Sequence, residues 1–345
     1  MYSISAVDSI SLAIQRTKEF LFQPFRWVTY LKLGLVAIIT EGIGSNLHSS
    51  SHGGQPLGDG SITHSPLDIS PAWIAAIVAA VLIVILLSTV VFYLVTRLRF
   101  AFFHCLIHKT SEIGPGWRLY RTQAARFFWL NLGVGFCFLL LLGAVAIPFV
   151  AGFVKLFHEM PPGGPPDMWL LLSLILPLIP VILLMVLMVF AADVILRDFV
   201  MPHYALDDAT AGEAWEKVWE HIKTEKGQFA VYALLRLILP IAATIVLFIV
   251  LFVPGLMLVG AGAAIGYSIH SAFADTTGAS AVVGVLLQIF FGVIAFGFAL
   301  LAGICLGGPL STGIREYALT FYGGRYEPLG EILYPPPSAS VPGIL

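Results

Sequence analysis

AWEKVWEHIKTEKGQFAVYALLRLILP, residues Ala214–Pro240, begins as a charged helix and ends as apolar chain, with no loop between the halves. Trp215, Val218, Trp219 and Ile222 recur at three- and four-residue spacing, opposite Glu213, Glu216, Lys217, Glu220, Lys223 and Glu225. From Phe229 the chain is apolar, and Arg236 is the only charge before Pro240. A water-facing helix that runs straight into lipid-soluble sequence reads as an interfacial helix entering a membrane span.

The same arrangement occurs twice more. SLAIQRTKEFLFQPFRW (Ser11–Trp27) and PGWRLYRTQAARFFW (Pro115–Trp129) each lead into an apolar run. The entry phenylalanines Phe25, Phe127 and Phe229 are evenly spaced, since 127 − 25 and 229 − 127 both equal 102. The offset pairs Trp117 with Trp219 and Arg16 with Arg118, and taken twice it pairs Lys32 with Arg236. The returning spans also end alike, in Leu98-Arg99-Phe100, Leu196-Arg197-Asp198-Phe199 and Ile314-Arg315-Glu316-Tyr317. A recurring period of this kind signals a repeat architecture.

Composition agrees with membrane residence. The 345 residues are 58% hydrophobic and only 11% charged, with a mean hydropathy of +0.92. Soluble domains are about 45–50% apolar and about 25% charged. Six apolar runs are long enough to span: Phe25–Ile43, Ala72–Thr96, Phe127–Phe153, Trp169–Asp193, Phe229–Val253 and Ala281–Gly307. Pro254–Phe273, apolar and Gly-rich, fits a half-span, an interfacial helix or a seventh span. With six spans and a cytoplasmic N-terminus, 17 of the 18 Lys and Arg residues fall on the inner side, Lys155 being the exception. A seventh span would carry Arg315 and Arg325 outside. The expectation is therefore a multi-pass protein of the cytoplasmic membrane with both termini cytoplasmic. Residues Ser5–Phe22 carry Asp8, Arg16, Lys18 and Glu19, too polar for a signal core. They read as an interfacial helix with Val7, Ile10, Ile14, Leu21 and Phe22 toward lipid.

The predicted fold class is all-α: a polytopic integral membrane protein of about six transmembrane helices with interfacial amphipathic helices. Residues 1–334 form a single transmembrane domain, with three parallel repeats at 5–108, 109–207 and 208–323, and 335–345 form a disordered Pro-rich tail. Each unit starts and ends on the same side, so the copies are related by an axis along the membrane normal rather than within its plane. The W-R-x-Y-R string at Trp117–Arg121, the following F-F-W and the Arg-aromatic span ends resemble a broad uncharacterised family of bacterial and archaeal polytopic membrane proteins. That family is distantly similar to the membrane domain attached to some glycerophosphodiester phosphodiesterases. The resemblance implies a membrane module without the soluble catalytic barrel, and it transfers no functional residue.

Candidate functional residues are few. Lys32 and Arg236 each lie in an apolar run, seven residues beyond an entry phenylalanine and so about 10 Å deep. Side chains at that depth either snorkel to the inner headgroups or hold an anion. Val134 occupies the corresponding place in the middle unit. Arg118, Arg121 and Arg126 give the second entry helix a basic face suited to anionic lipid. Asp193 precedes Arg197 by four residues and is expected to pair with it. Asn131 is expected to bond a neighbouring helix. His48, His52, His64, Asp59 and Asp68 share a Gly/Ser-rich loop, but their spacing matches no compact metal site. Cys105, Cys137 and Cys305 have no close cysteine partner, so no disulfide framework is indicated.

No nucleophile–base motif and no H-E-x-x-H occurs, and no cofactor is implied. A net charge of −2 gives no field for nucleic acid. The expected partners are the bilayer, anionic headgroups and other membrane proteins. The sequence thus points to a non-catalytic structural or lipid-interacting module, with a channel or transporter for a small solute or lipid as the alternative.

Overall fold

The computed structural model describes residues 4–46, 71–159, 168–273 and 279–335, all helices and their connections, with no strand among them. The helices are α1 (Asp8–Phe22), α2 (Trp27–Asn46), α3 (Pro71–His108), α4 (Ile113–Leu119), α5 (Arg121–Glu159), α6 (Met168–Val194), α7 (Met201–Leu206), α8 (Ala211–Thr224), α9 (Lys226–Phe273), α10 (Ala279–Gly323) and α11 (Glu327–Leu333). A π-helical segment, Ile195–Val200, joins α6 to α7 without a break. A short helix is followed by two longer ones three times over, beginning at α1, α4 and α8. The loop of His48, His52, His64, Asp59 and Asp68 and the tail from Pro336 lie outside the described residues, as do 160–167 and 274–278.

Among the described residues, five helices are long and apolar enough to cross a membrane: α3, α5, α6 with its continuation, α9 and α10. The first expected span, α2, is not among them: Thr40 and Glu41, near its C-terminal end, lie beside Arg99 and Arg197, so α2 ends at the same level as the inner ends of the long helices instead of crossing away from them. Pro254–Phe273 is none of the three separate elements considered from sequence. It is the second half of α9, whose 48 residues include Pro240 and Pro254 inside one helix. Proline is tolerated within membrane helices because neighbouring groups and local adjustments satisfy the freed carbonyls.

Burial is concentrated at one end of each long helix. The buried aromatic and aliphatic residues include Phe100–Phe103 of α3, Phe127 of α5, Phe199 and Val200 of the π-helical segment, Phe229 and Tyr232 of α9, and Tyr317, Phe321 and Tyr322 of α10. Short connections through α4 and α8 hold these ends together in one base. Phe199 lies 5.1 Å from Tyr232 between ring centroids, and Tyr232 stacks on Phe321 at 4.4 Å. The remaining lengths carry exposed apolar side chains, such as Val81–Leu87, Leu139–Leu142, Ile182–Leu184 and Phe248–Val253. Surface this apolar is suited to lipid chains rather than water.

Two helix contacts close the base. Gly308 of α10 meets Gly34 of α2 so closely that a Cβ on Gly308 would lie 2.6 Å from the Gly34 Cα. Small residues of this kind let helix backbones approach. Ser9, Ala13, Thr17 and Leu21 form a buried four-residue stripe along α1. That stripe packs on α10, where Thr320 Oγ1 donates to the Ser9 carbonyl at 3.2 Å. Val7, Ile14 and Phe22 are exposed, but Leu21, expected toward lipid, is buried at 3% exposure. The stripe of small and polar residues, not the bulkier apolar one, is the face that fits against a neighbouring helix.

Candidate functional site

The dominant polar feature is a cluster of arginines and carboxylates within the base. It begins with a proline. The Met201 amide donates to the Leu196 carbonyl five residues back, the π-helical step. The same step from position 202 would reach the Arg197 carbonyl, but Pro202 has no N–H. Arg315 Nη1 supplies the missing donor at 2.8 Å. Arg315 Nη1 also bonds Asp198 Oδ1 at 3.0 Å, so one side chain of α10 satisfies both the freed carbonyl and the adjacent carboxylate.

Asp198 is fully buried and accepts three side-chain bonds in all. Besides Arg315, its Oδ2 accepts from Tyr232 Oη at 2.8 Å and Arg236 Nε at 2.9 Å. Glu41 of α2 faces Arg197 Nη2 at 2.6 Å and Arg236 Nη2 at 3.5 Å. The Thr40 carbonyl accepts from Arg197 Nη2 at 2.7 Å and from Arg99 Nε at 3.0 Å. Arg197 Nη1 also lies 3.7 Å from Asp193, the pairing expected from sequence. The cluster thereby joins α2, α3, the π-helical segment, α9 and α10. Arg99, Arg197 and Arg315, the arginines of the three matching span ends, all take part.

Arg236 does not snorkel. It is 9% exposed and bonded to Asp198 and Glu41, because two buried carboxylates at its own depth make the longer reach to headgroups unnecessary. Lys32, Arg118 and Arg121 are exposed. Arg126 is partly buried and pairs with Asp208, which ties α5 to the connection before α8 instead of leaving the side chain free for lipid. Asn131 Nδ2 donates at 2.8 Å to the Phe127 carbonyl of its own helix, not to a neighbouring one.

A second polar group lies nearby. His203 Nε2 is 2.7 Å from Tyr322 Oη, and its Nδ1 is 3.3 Å from Asp207, which also receives Lys217 Nζ at 2.9 Å. The His203 ring lies 4.1 Å from that of Tyr326. Burial raises the Asp207 carboxyl, but the contacts from Lys217 and His203 help to outweigh it and hold the group below its ordinary value. Sequence reading missed this group because its members are separated by up to 123 residues, from His203 to Tyr326. No trio of metal-ligating side chains occurs among the described residues.

The short helices carry the surface features. Thr210 and Glu213 form a capping box at the start of α8. Ala214 and Val218 face the base, whereas Trp215 and Trp219 are 47% and 44% exposed and stack at 6.3 Å. The single apolar face expected for this helix is thus divided between core and surroundings. Lys223 Nζ lies over the Trp219 ring at 5.7 Å.

A family model described as "Family of unknown function (DUF7544)" matches residues 4–332. The chain belongs to this family. No curated protein and no solved structure matches it. Nothing found links it to the membrane domains of glycerophosphodiester phosphodiesterases.

Proposed function

We propose that the chain is a non-catalytic, lipid-interacting module of the cytoplasmic membrane. In this reading the five long apolar helices stand in the bilayer on one rigid base that also holds α2, both termini are cytoplasmic, and the short helices meet the headgroups. The observation that carries the reading is the pairing within the base. Its most deeply buried charges bond to one another across helices from all three units, which holds the helices together. The 102-residue spacing and the repeated helix order support three related units. Exposed Trp215 and Trp219, with Lys223 beside them, suit the membrane interface, where tryptophan is enriched. Exposed Arg118 and Arg121 suit anionic lipid.

The test is reconstitution of the full chain in liposomes of mixed anionic and zwitterionic lipid. Ion and small-solute flux should stay at the level of protein-free vesicles, and the lipids should be recovered chemically unchanged. Saturable flux would establish the channel or transporter alternative. Lipid turnover abolished by His203→Ala would establish an enzyme built on the His203 group.

A further inference from the structure

The charge balance of the arginine cluster is uneven. Among the described residues, four guanidinium groups (Arg99, Arg197, Arg236 and Arg315) meet three carboxylates (Glu41, Asp193 and Asp198). Four minus three leaves one positive charge. Arginine does not lose its proton inside a protein, and a buried charge without a counter-charge is strongly disfavoured.

The surplus falls on Arg99. Arg197, Arg236 and Arg315 each have a carboxylate oxygen within 4.0 Å, whereas the recorded bond of Arg99 is to the neutral Thr40 carbonyl. Arg99 is 8% exposed, so water reaches little of it. Arg197 stands beside it, since Nη2 of Arg197 and Nε of Arg99 share the Thr40 carbonyl. Arg197 Nε is itself buried without a hydrogen-bond partner. Two adjacent planar guanidiniums with donors to spare match the oxygens of a tetrahedral oxyanion better than a point charge.

We propose that Arg99 and Arg197 bind one singly charged phosphate group next to Thr40. A phospholipid phosphodiester and the inorganic phosphate monoanion share this chemistry. The site deepens the lipid-interacting reading, but a module without it would still be a non-catalytic membrane module, because that reading is tested separately by flux and lipid recovery.

The experiment is thermal unfolding of the full-length, delipidated protein in uncharged detergent. The additions are inorganic phosphate, chloride at matched ionic strength, phosphatidylglycerol, and diacylglycerol, which lacks the phosphate. The midpoint should rise saturably with phosphate or phosphatidylglycerol and should not rise with chloride or diacylglycerol. A response to phosphatidylglycerol alone assigns the site to a lipid headgroup, and a response to both assigns it to the phosphate itself. Arg99→Gln removes the surplus charge and should weaken apparent binding at least tenfold. Asp193→Asn raises the surplus to two and should tighten binding, a change of opposite sign that a merely structural role does not produce. Should Arg99→Gln fail to fold, Asp193→Asn decides the matter. An unresponsive wild type, equal responses to chloride and phosphate, or unchanged binding in Asp193→Asn would each overturn the proposal.

Discussion

Asp198→Asn should be among the most damaging conservative substitutions in the chain. The carboxylate is fully buried and accepts from Tyr232 at 2.8 Å, Arg236 at 2.9 Å and Arg315 at 3.0 Å. Asparagine keeps the shape but removes the charge facing two guanidiniums, and its amide presents donors to groups that are themselves donors. Removing one partner of a buried ion pair costs about 3–5 kcal/mol, a large share of the roughly 5–15 kcal/mol that keeps a protein folded. The assay is unfolding in mixed micelles of rising denaturing-detergent fraction, followed by circular dichroism. Arg236→Gln alone should also destabilise, because Asp198 and Glu41 each lose one of their two arginine partners. The double substitution removes both charges together, so its loss should be smaller than the sum of the singles by about 1–3 kcal/mol. A loss below about 1 kcal/mol for Asp198→Asn, or strict additivity, would refute the claim that this pairing holds the base.

Gly308→Ala should destabilise the protein by about 1–3 kcal/mol, because the new Cβ would lie 2.6 Å from backbone at Gly34. Gly297→Ala, where a Cβ meets nothing within 4 Å, should be neutral or slightly stabilising on the same unfolding assay. The pH dependence should show the burial of His221, which pushes the imidazole below its ordinary value of 6.5, with Arg325 adding to the effect against Glu220 and Glu225. The unfolded chain then takes up that proton more readily, so this contribution is complete above pH 6.5 and is lost as the pH falls below it. His221→Gln should flatten that limb of a stability–pH curve, and an unchanged curve would show that His221 does not contribute. Arg118→Gln with Arg121→Gln, both exposed, should leave stability within about 0.5 kcal/mol. The same pair should reduce the co-purified anionic lipid, measured by lipid mass spectrometry.

The helical, membrane-crossing architecture was legible because apolar runs of this length have few other uses. The candidate site was legible only in fragments. The matching arginines at positions 99, 197 and 315 stood out as a pattern, but an arginine at a span end has the same sequence signature whether it faces headgroups or a buried carboxylate. Glu41 and Asp198 gave no signal, one lying near the polar loop and the other next to Arg197. Their contacts with Arg236 cross 195 and 38 residues, distances over which periodicity carries no information. The continuity of α9 through Pro254 was hidden for a different reason. Proline marks a break in water-exposed helices, and its tolerance in lipid depends on neighbours that the local sequence does not name.

Side-specific cysteine labelling tests most directly whether the long apolar helices rise to one side of the membrane from a single base. On a background lacking Cys105, Cys137 and Cys305, single cysteines at Gly163 and Thr276 should react with an impermeant reagent added outside intact cells. Cysteines at Ser111, Asp208 and Ser338 should react only after the membrane is opened. External labelling at Ser111, Asp208 or Ser338, or protection of Gly163 or Thr276 until lysis, would contradict the arrangement.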